Sequence, residues 1–201
     1  MCNLYRMTKA TGEIARLFGV EPPTGTNAGE EVYPGYPGLV FDGIALRTMT
    51  WGFPLSLKSR KTGQLLKAKP VNNTRSDKLD SFMWRYSFAE RRCLIPFTAF
   101  AEAEGPKGAK TRTWVSLPDQ SVVTAAGIWR DSDEWGPVYS MVMTDECLAM
   151  LGIHDRSPVI VRPEDRSQWQ EGTPEDARKL CVPYTGDMVL DRTGQPWAAR
   201  R

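Results

Sequence analysis

Between Cys93 and Met143 the chain repeats one pattern, and it limits the fold more than any other feature. Cys93-Leu94-Ile95-Pro96-Phe97, Ala99-Phe100-Ala101-Glu102-Ala103, Trp114-Val115-Ser116-Leu117, Val122 to Trp129 and Val138 to Met143 are short apolar runs separated by turn-forming residues. Runs of this kind read as strands. Leu39-Val40-Phe41 and Ile44 to Trp51 flank Asp42-Gly43, a dipeptide of the type that closes hairpins. Helical spacing is confined to short pieces. Thr11 can cap a helix carrying Ile14, Leu17 and Phe18 on one face, with Gly19 as its stop, and Leu79, Phe82, Met83 and Tyr86 mark an amphipathic helix within Leu79 to Phe88. Cys147 to Leu151 makes a helical turn, and Pro163 to Trp169 and Pro174 to Leu180 are short helices with proline near their starts. Glu21 to Gly38 is a proline- and glycine-rich loop with aromatic anchors. The pattern is that of an α+β domain rich in antiparallel strands.

At 201 residues the chain makes one domain, 1–201, with 41% hydrophobic and 25% charged residues. No apolar run approaches the roughly 18–20 residues that span a bilayer, and the N-terminus lacks the basic-then-apolar layout of a secretory signal. Cys2, Cys93, Cys147 and Cys181 lie far apart, with no C-x-x-C pair and one histidine to join them. That spacing argues against a structural zinc site and a disulfide framework, and for reduced thiols in a cytoplasmic protein. The net charge of +2 does not by itself imply nucleic acid. The stretch 58–69 is more informative: Lys58, Arg60, Lys61, Lys67 and Lys69 lie in or beside it with no acidic residue from Lys58 to Lys69. It reads either as a solvated, disordered loop or as a phosphate-contacting surface.

Cys2 follows the initiator methionine and is small enough for routine methionine removal, which would make it the mature N-terminus. One residue would then carry an α-amine, with a pKa of roughly 7.7–8, beside a thiol near about 8.5. The amine can condense with an aldehyde to an imine, and the β-thiol can close on it as a five-membered thiazolidine. No internal cysteine can do this. Three other positions can serve that chemistry. His154, the only histidine, sits among turn formers just before an apolar strand, so any imidazole step must use it. Glu102 shares a strand face with Glu104; partly buried beside Cys2, it would titrate higher and could shuttle protons. Asn73 both donates and accepts, and Arg75 can grip a phosphate bidentately. Each of these has a plain structural reading as well: a frayed terminus, a structural histidine, a solvent-facing glutamate.

In this order the motifs resemble those of the SOS-response-associated peptidase (SRAP) family. The resemblance rests on Met1-Cys2-Asn3-Leu4-Tyr5, Trp51-Gly52-Phe53, Asn73-Thr74-Arg75-Ser76-Asp77, and Arg92 to Phe97 running into Phe100-Ala101-Glu102. It ends with His154-Asp155-Arg156-Ser157-Pro158-Val159-Ile160, and covers about residues 2–185, leaving 186–201 as a tail. It implies a single domain of mostly antiparallel strands in a curved, barrel-like core with short peripheral helices. It also implies protection of abasic sites in single-stranded DNA through a DNA–protein crosslink, a thiazolidine between Cys2 and the ring-opened sugar aldehyde. In that scheme Asn73 positions the sugar or the terminal amine, Glu102 moves protons and assists reversal, and His154 holds or protonates the sugar oxygen. Arg75 and Arg156, with Arg162 behind them, would clamp flanking phosphates. Trp51 and Phe53 would stack on or wedge between bases, or else belong to the core. No cofactor, metal or membrane enters the scheme, and the protein would be a monomer that joins the nucleoid on damaged DNA.

The sequence departs from the family pattern where Leu55-Ser56-Leu57 supplies no aromatic after Trp51-Gly52, at Ser76-Asp77, at Ser157, and after Tyr184. These changes touch the DNA path more than the proposed catalytic set. Two other functions fit parts of the pattern. One is an N-terminal-cysteine thiol (auto)peptidase using Cys2 with Glu102 and His154. The other is a non-covalent single-stranded DNA-binding module in which Cys2 is incidental.

Overall fold

The computed structural model describes residues 2–118 and 120–197. In chain order its elements are β1 (Tyr5–Arg6), α1 (Thr11–Phe18), β2 (Glu31–Val32), β3 (Pro37–Phe41), β4 (Leu46–Trp51), β5 (Phe53–Leu55), β6 (Lys69–Val71), β7 (Asn73–Arg75), α2 (Arg85–Glu90) and β8 (Arg92–Phe97). There follow β9 (Ala99–Glu104), β10 (Thr111–Ser116), β11 (Val123–Ser132), β12 (Gly136–Asp145), β13 (Arg156–Pro158), β14 (Ile160–Val161), α3 (Arg166–Glu171), α4 (Pro174–Lys179) and β15 (Val189–Pro196).

Five strands close on themselves in the order β12-β4-β3-β8-β11 and back to β12, forming a barrel. Only the β4–β12 seam of that ring is parallel. Closure leaves no free edge within the ring, and β7, β13 and β14 pair onto its strands from outside. A second sheet, β15-β10-β9-β1-β2, carries the N-terminal segment. The α+β expectation and the barrel-like core with short helices both hold.

The strand runs of the sequence fold because their alternation serves two cores. Along β9, Phe100 joins the cluster of Cys2, Tyr5, Trp51, Cys93, Ile95 and Met141, whereas Ala99 and Ala101 join Leu4 and Trp114. The alternation therefore aims Glu102 toward the Cys2 side. Three expectations change. Ala10, not Thr11, takes the cap position of α1, its amide donating to Glu13, and Leu17 is exposed. The amphipathic helix expected from Leu79 begins only at Arg85, the chain running through a 3-10 turn at Ser76–Lys78 and further turns before it; Leu79 is buried, while Phe82 and Tyr86 face solvent. The expected tail contains β15, which pairs antiparallel with β10 from Val189 onward. Consecutive polar residues from Asp191 to Thr193 hid that strand in the sequence.

Arg92 shows how short helices are held on a barrel. Its guanidinium, inside the fold, donates to the carbonyls of Phe88 and Ala89 at the end of α2 and to those of Trp169, Gln170 and Gly172 at the end of α3. A cation there satisfies the orphan carbonyls of two helix ends at once. Arg92→Met strands several of them, and we expect a loss of about 3 kcal/mol, read as a fall in thermal midpoint of roughly 6–12 °C.

Candidate functional site

The N-terminal segment is fixed through its backbone. The amide of Ala101 donates to the Leu4 carbonyl (2.9 Å), and Tyr5 pairs with both Val32 and Phe100. Two carboxamides then converge on a single atom. Asn73 Nδ2 donates to the Cys2 carbonyl oxygen at 2.7 Å, and Asn72 Nδ2 donates to the same oxygen at 2.9 Å. The two donors are consecutive residues because Val71 to Asn73 crosses from β6 into β7, which lies parallel to β12 with Asn73 opposite Met141. The Cys2 side chain is fully buried, and its thiol donates to the Leu4 carbonyl at 3.4 Å.

Two buried acceptors around this carbonyl have no hydrogen-bond partner among the described residues: Asn73 Oδ1 and Glu102 Oε1. Such atoms are costly to bury and mark a place built for a donor. Glu102 is 3% exposed. Burial lifts its carboxyl to about 7, opposed first by the chain's terminal amino charge, helped by the charge of Asp155 and opposed more weakly by Lys110. Burial, and then the Glu102 charge, push the Cys2 thiol well above the usual range. A neutral thiol and a carboxyl near neutrality are thus set against each other.

His154 stands at the margin of this group, half-buried, and the same Asp155 and Lys110 act on it. Desolvation lowers its pKa, and its Nδ1 accepts the Arg156 amide at 3.0 Å, which assigns the proton of the neutral ring to Nε2. Asp155 Oδ1 lies 2.9 Å from the same Nδ1, an ion pair only when the ring is protonated. Because backbone geometry sets the Arg156 contact, we take the neutral form as the resting one.

Arg75 and Arg156 come together on either side of the end of β12, where Met143 registers with Arg75 and Asp145 with Arg156. Both already hold carboxylates. Arg75 grips Asp77 bidentately at 2.8 and 2.7 Å, and Arg156 reaches Asp145 at 3.0 Å. Arg162 is placed elsewhere, beyond β14, with its guanidinium 5.6 Å from the Tyr184 ring centroid, beside a cavity of about 240 Å³ that also meets Asp165 and Lys179. A larger cavity, about 350 Å³, opens around Thr8 to Thr11 and Glu30 and contains none of Cys2, Asn73, Glu102 and His154.

Trp51 and Phe53 correct the stacking expectation: each is 0% exposed, so neither offers a face to a base, and the core alternative is the one the structure shows. Phe53 packs on Trp84. Trp51 lies between Tyr5 and Tyr139, ring centroids at 5.0 and 6.4 Å, and its indole N–H donates to the Asn72 carbonyl at 2.9 Å. Gly52 beside it has φ +125°, and a Cβ there would stand 2.4 Å from Pro70 Cβ. The Trp51-Gly52 motif is thereby explained as the backing of the Asn72-Asn73 corner.

The basic stretch is an ordered two-stranded arm rather than a disordered loop. Leu55 pairs with Lys69, the Leu66 amide donates to the Leu57 carbonyl, and Lys58 bridges to Leu65. Among the described residues none of Lys58, Arg60, Lys61, Lys67 and Lys69 forms an ion pair. Sequence reasoning missed Asn72, whose neighbour carried the motif. Its signal was only a second carboxamide in Asn72-Asn73.

The fold is a closed β-barrel in which Cys2 is gripped by its carbonyl and a buried glutamate acts on its thiol. The SRAP profile, described as SOS response associated peptidase, matches residues 1–193, and the chain belongs to that family. Among relatives, the chain is 25% identical to the abasic site processing protein YoqW of Bacillus subtilis strain 168 over 209 residues, 93% of this chain and 89% of YoqW. The corresponding protein YoaM of the same strain is 24% identical, covering 93% of this chain and 88% of YoaM. Crystal structures of proteins from Bordetella bronchiseptica and Bacteroides thetaiotaomicron share the fold. Their TM-scores are 0.79 and 0.78 at 20% and 17% identity, over 96% and 95% of this chain and 99% and 91% of theirs.

Proposed function

We propose that this chain, beginning at Cys2 after methionine removal, captures the aldehyde of an abasic site in single-stranded DNA as a covalent thiazolidine. One observation carries the reading: Cys2 is held by its carbonyl, an atom that takes no part in ring closure, beside a buried carboxyl that burial lifts to about 7. The names of the B. subtilis relatives supply the substrate class.

The α-amine lone pair adds to the C1′ aldehyde carbon to give a carbinolamine, which loses water to form an imine. The thiol sulfur then adds to the imine carbon while its proton passes, through Glu102, to the imine nitrogen. One water leaves in total. Glu102 in its acid form protonates the departing hydroxyl, and as carboxylate it takes the thiol proton; near pH 7 both forms are populated. Reversal uses the same two transfers backwards. Asn73 Oδ1 accepts from the amine or a sugar hydroxyl. Neutral His154 donates Nε2–H to the oxygen freed by ring opening. Arg75 and Arg156 exchange their carboxylates for phosphates flanking the site. The thiol peptidase reading needs a resident thiolate. A thiol pushed up by burial and by Glu102 weighs against it.

The test is intact-mass analysis of protein confirmed to lack Met1 after incubation with single-stranded DNA carrying one abasic site. A heat-stable gain equal to the oligonucleotide less one water is the expected result. No adduct from that protein sinks the reading.

The basic arm adjoins β7 through β6, and within this function it tracks the backbone of the strand. Neutralising Lys58, Arg60 and Lys61 together to glutamine should lower the slope of log affinity against log salt by about 2 for an undamaged strand. An unchanged slope would return the arm to the solvated alternative.

A further inference from the structure

Asn72 does more in this fold than a loop-to-strand residue requires. It is 9% exposed, and both its backbone and its side chain are engaged. Its carbonyl accepts from the Trp51 indole and from the Met141 amide, each at 2.9 Å. Its Nδ2 donates to the Cys2 carbonyl and, at 3.2 Å, to Asn3 Oδ1. The indole that holds it is itself fixed between Tyr5 and Tyr139, whose hydroxyls meet in a short hydrogen bond inside the barrel.

We propose that Asn72 is a positioning residue for the nucleophile, the second jaw of a clamp whose first jaw is Asn73. The inference rests on the crosslinking reading for its chemistry and adds a residue which that reading does not use.

A carbonyl oxygen has two lone pairs. With one donor, the Cys2 peptide plane can still swing about the remaining bond. With donors from both Asn72 and Asn73 the carbonyl is saturated and the plane is set. Because the amine and Cβ both branch from the adjoining Cα, setting the plane confines where the amine and thiol can stand relative to Glu102. Asn72 touches no reacting atom; it acts through the carbonyl, and Trp51 acts through Asn72. Misplacement of a nucleophile by about 1 Å costs on the order of 100-fold in rate, so loss of one jaw should cost roughly 10- to 100-fold.

The experiment compares wild type, Asn72→Leu, Asn72→Asp and Trp51→Phe, each confirmed to begin at Cys2 and to retain its thermal midpoint within a few degrees. Single-turnover crosslinking to abasic single-stranded DNA is followed against DNA concentration. All three variants should lose about 10-fold or more at saturation, with the half-saturating concentration within about twofold of wild type. Asn72→Asp should be no better than Asn72→Leu, because a carboxylate repels the carbonyl it replaces a donor to. A loss confined to half-saturation, or a saturating rate within about twofold of wild type, overturns the proposal.

A DNA-free arm separates this from failure of the crosslinking reading itself. The mature 1,2-aminothiol is titrated with 2-cyanobenzothiazole, a small probe of that group. A clamped, buried Cys2 reacts slowly, and Asn72→Leu should react several-fold faster, opposite in sign to its effect on DNA. An equal probe rate in the two proteins rejects the clamp whether or not wild type crosslinks DNA. Should Trp51→Phe lose its fold, since it removes part of a fully buried ring along with the indole N–H, Asn72→Leu and Asn72→Asp remain decisive, because they leave the core aromatics untouched.

Discussion

Cys2→Ala should abolish the heat-stable adduct with abasic single-stranded DNA, a loss of at least about 1000-fold, while leaving binding to an undamaged strand within about twofold. The argument is stereochemical. Alanine keeps the mature amine and the carbonyl that Asn72 and Asn73 grip, so the terminus should still be placed. It removes the sulfur that closes the ring, and an imine alone hydrolyses. Borohydride should therefore trap an adduct from Cys2→Ala that heat or dilution otherwise destroys. Cys2→Ser should behave similarly, with a weaker nucleophile and a labile closure. A heat-stable adduct undiminished in Cys2→Ala would place the covalent bond on another residue, and the terminal chemistry would have to be abandoned.

Glu102→Gln should slow crosslinking by roughly 100-fold or more at neutral pH, the usual weight of one positioned acid–base group. It should also remove a stability term whose sign is fixed. The folded-state pKa of about 7 lies above the ordinary carboxyl value of 4.5. Between those values the folded protein holds a proton that the unfolded chain has lost, so stability falls as pH rises from about 4.5 to about 7 and is level above. The penalty reaches up to about 3 kcal/mol at its full extent. His154 works in the opposite direction, because its lowered pKa makes the folded state release its proton first. The difference in thermal midpoint between wild type and Glu102→Gln isolates the carboxyl: Glu102→Gln should gain on wild type steadily through that window. A constant difference across it would mean that Glu102 ionises normally and cannot serve as the shuttle.

The strands of the barrel were legible because burial on both faces writes apolar runs, as in Cys93 to Phe97 and Val138 to Met143. The parallel strand β7 was not, since Asn73-Thr74-Arg75 carries polar groups for the site and the interior, where Thr74 meets Ser140 at 2.8 Å. Glu102 was legible as a face and a family position, but its burial depends on packing from distant strands. Trp51 misled for a related reason. An aromatic in a motif suggests contact with a base, while the structure uses its N–H to hold a backbone carbonyl. Phe82 shows the reverse: its helical spacing predicted a buried face, and it is 88% exposed.

The two donors that hold the Cys2 carbonyl are written much later in the chain. The carbonyl waits for donors 70 and 71 positions on, and β7, which bears one of them, rests on β12, whose partner residues begin near Met141. At about 5–20 residues per second of synthesis, the terminus spends roughly 7–30 seconds as an open strand before its enclosure can be completed. On the proposed chemistry methionine removal must precede crosslinking, and that interval is when the terminus is open to an aminopeptidase. Processing and folding are then in competition, and a variant that folds faster around an unprocessed terminus would accumulate as a stable, well-folded protein whose Cys2 nitrogen is an amide and forms no imine.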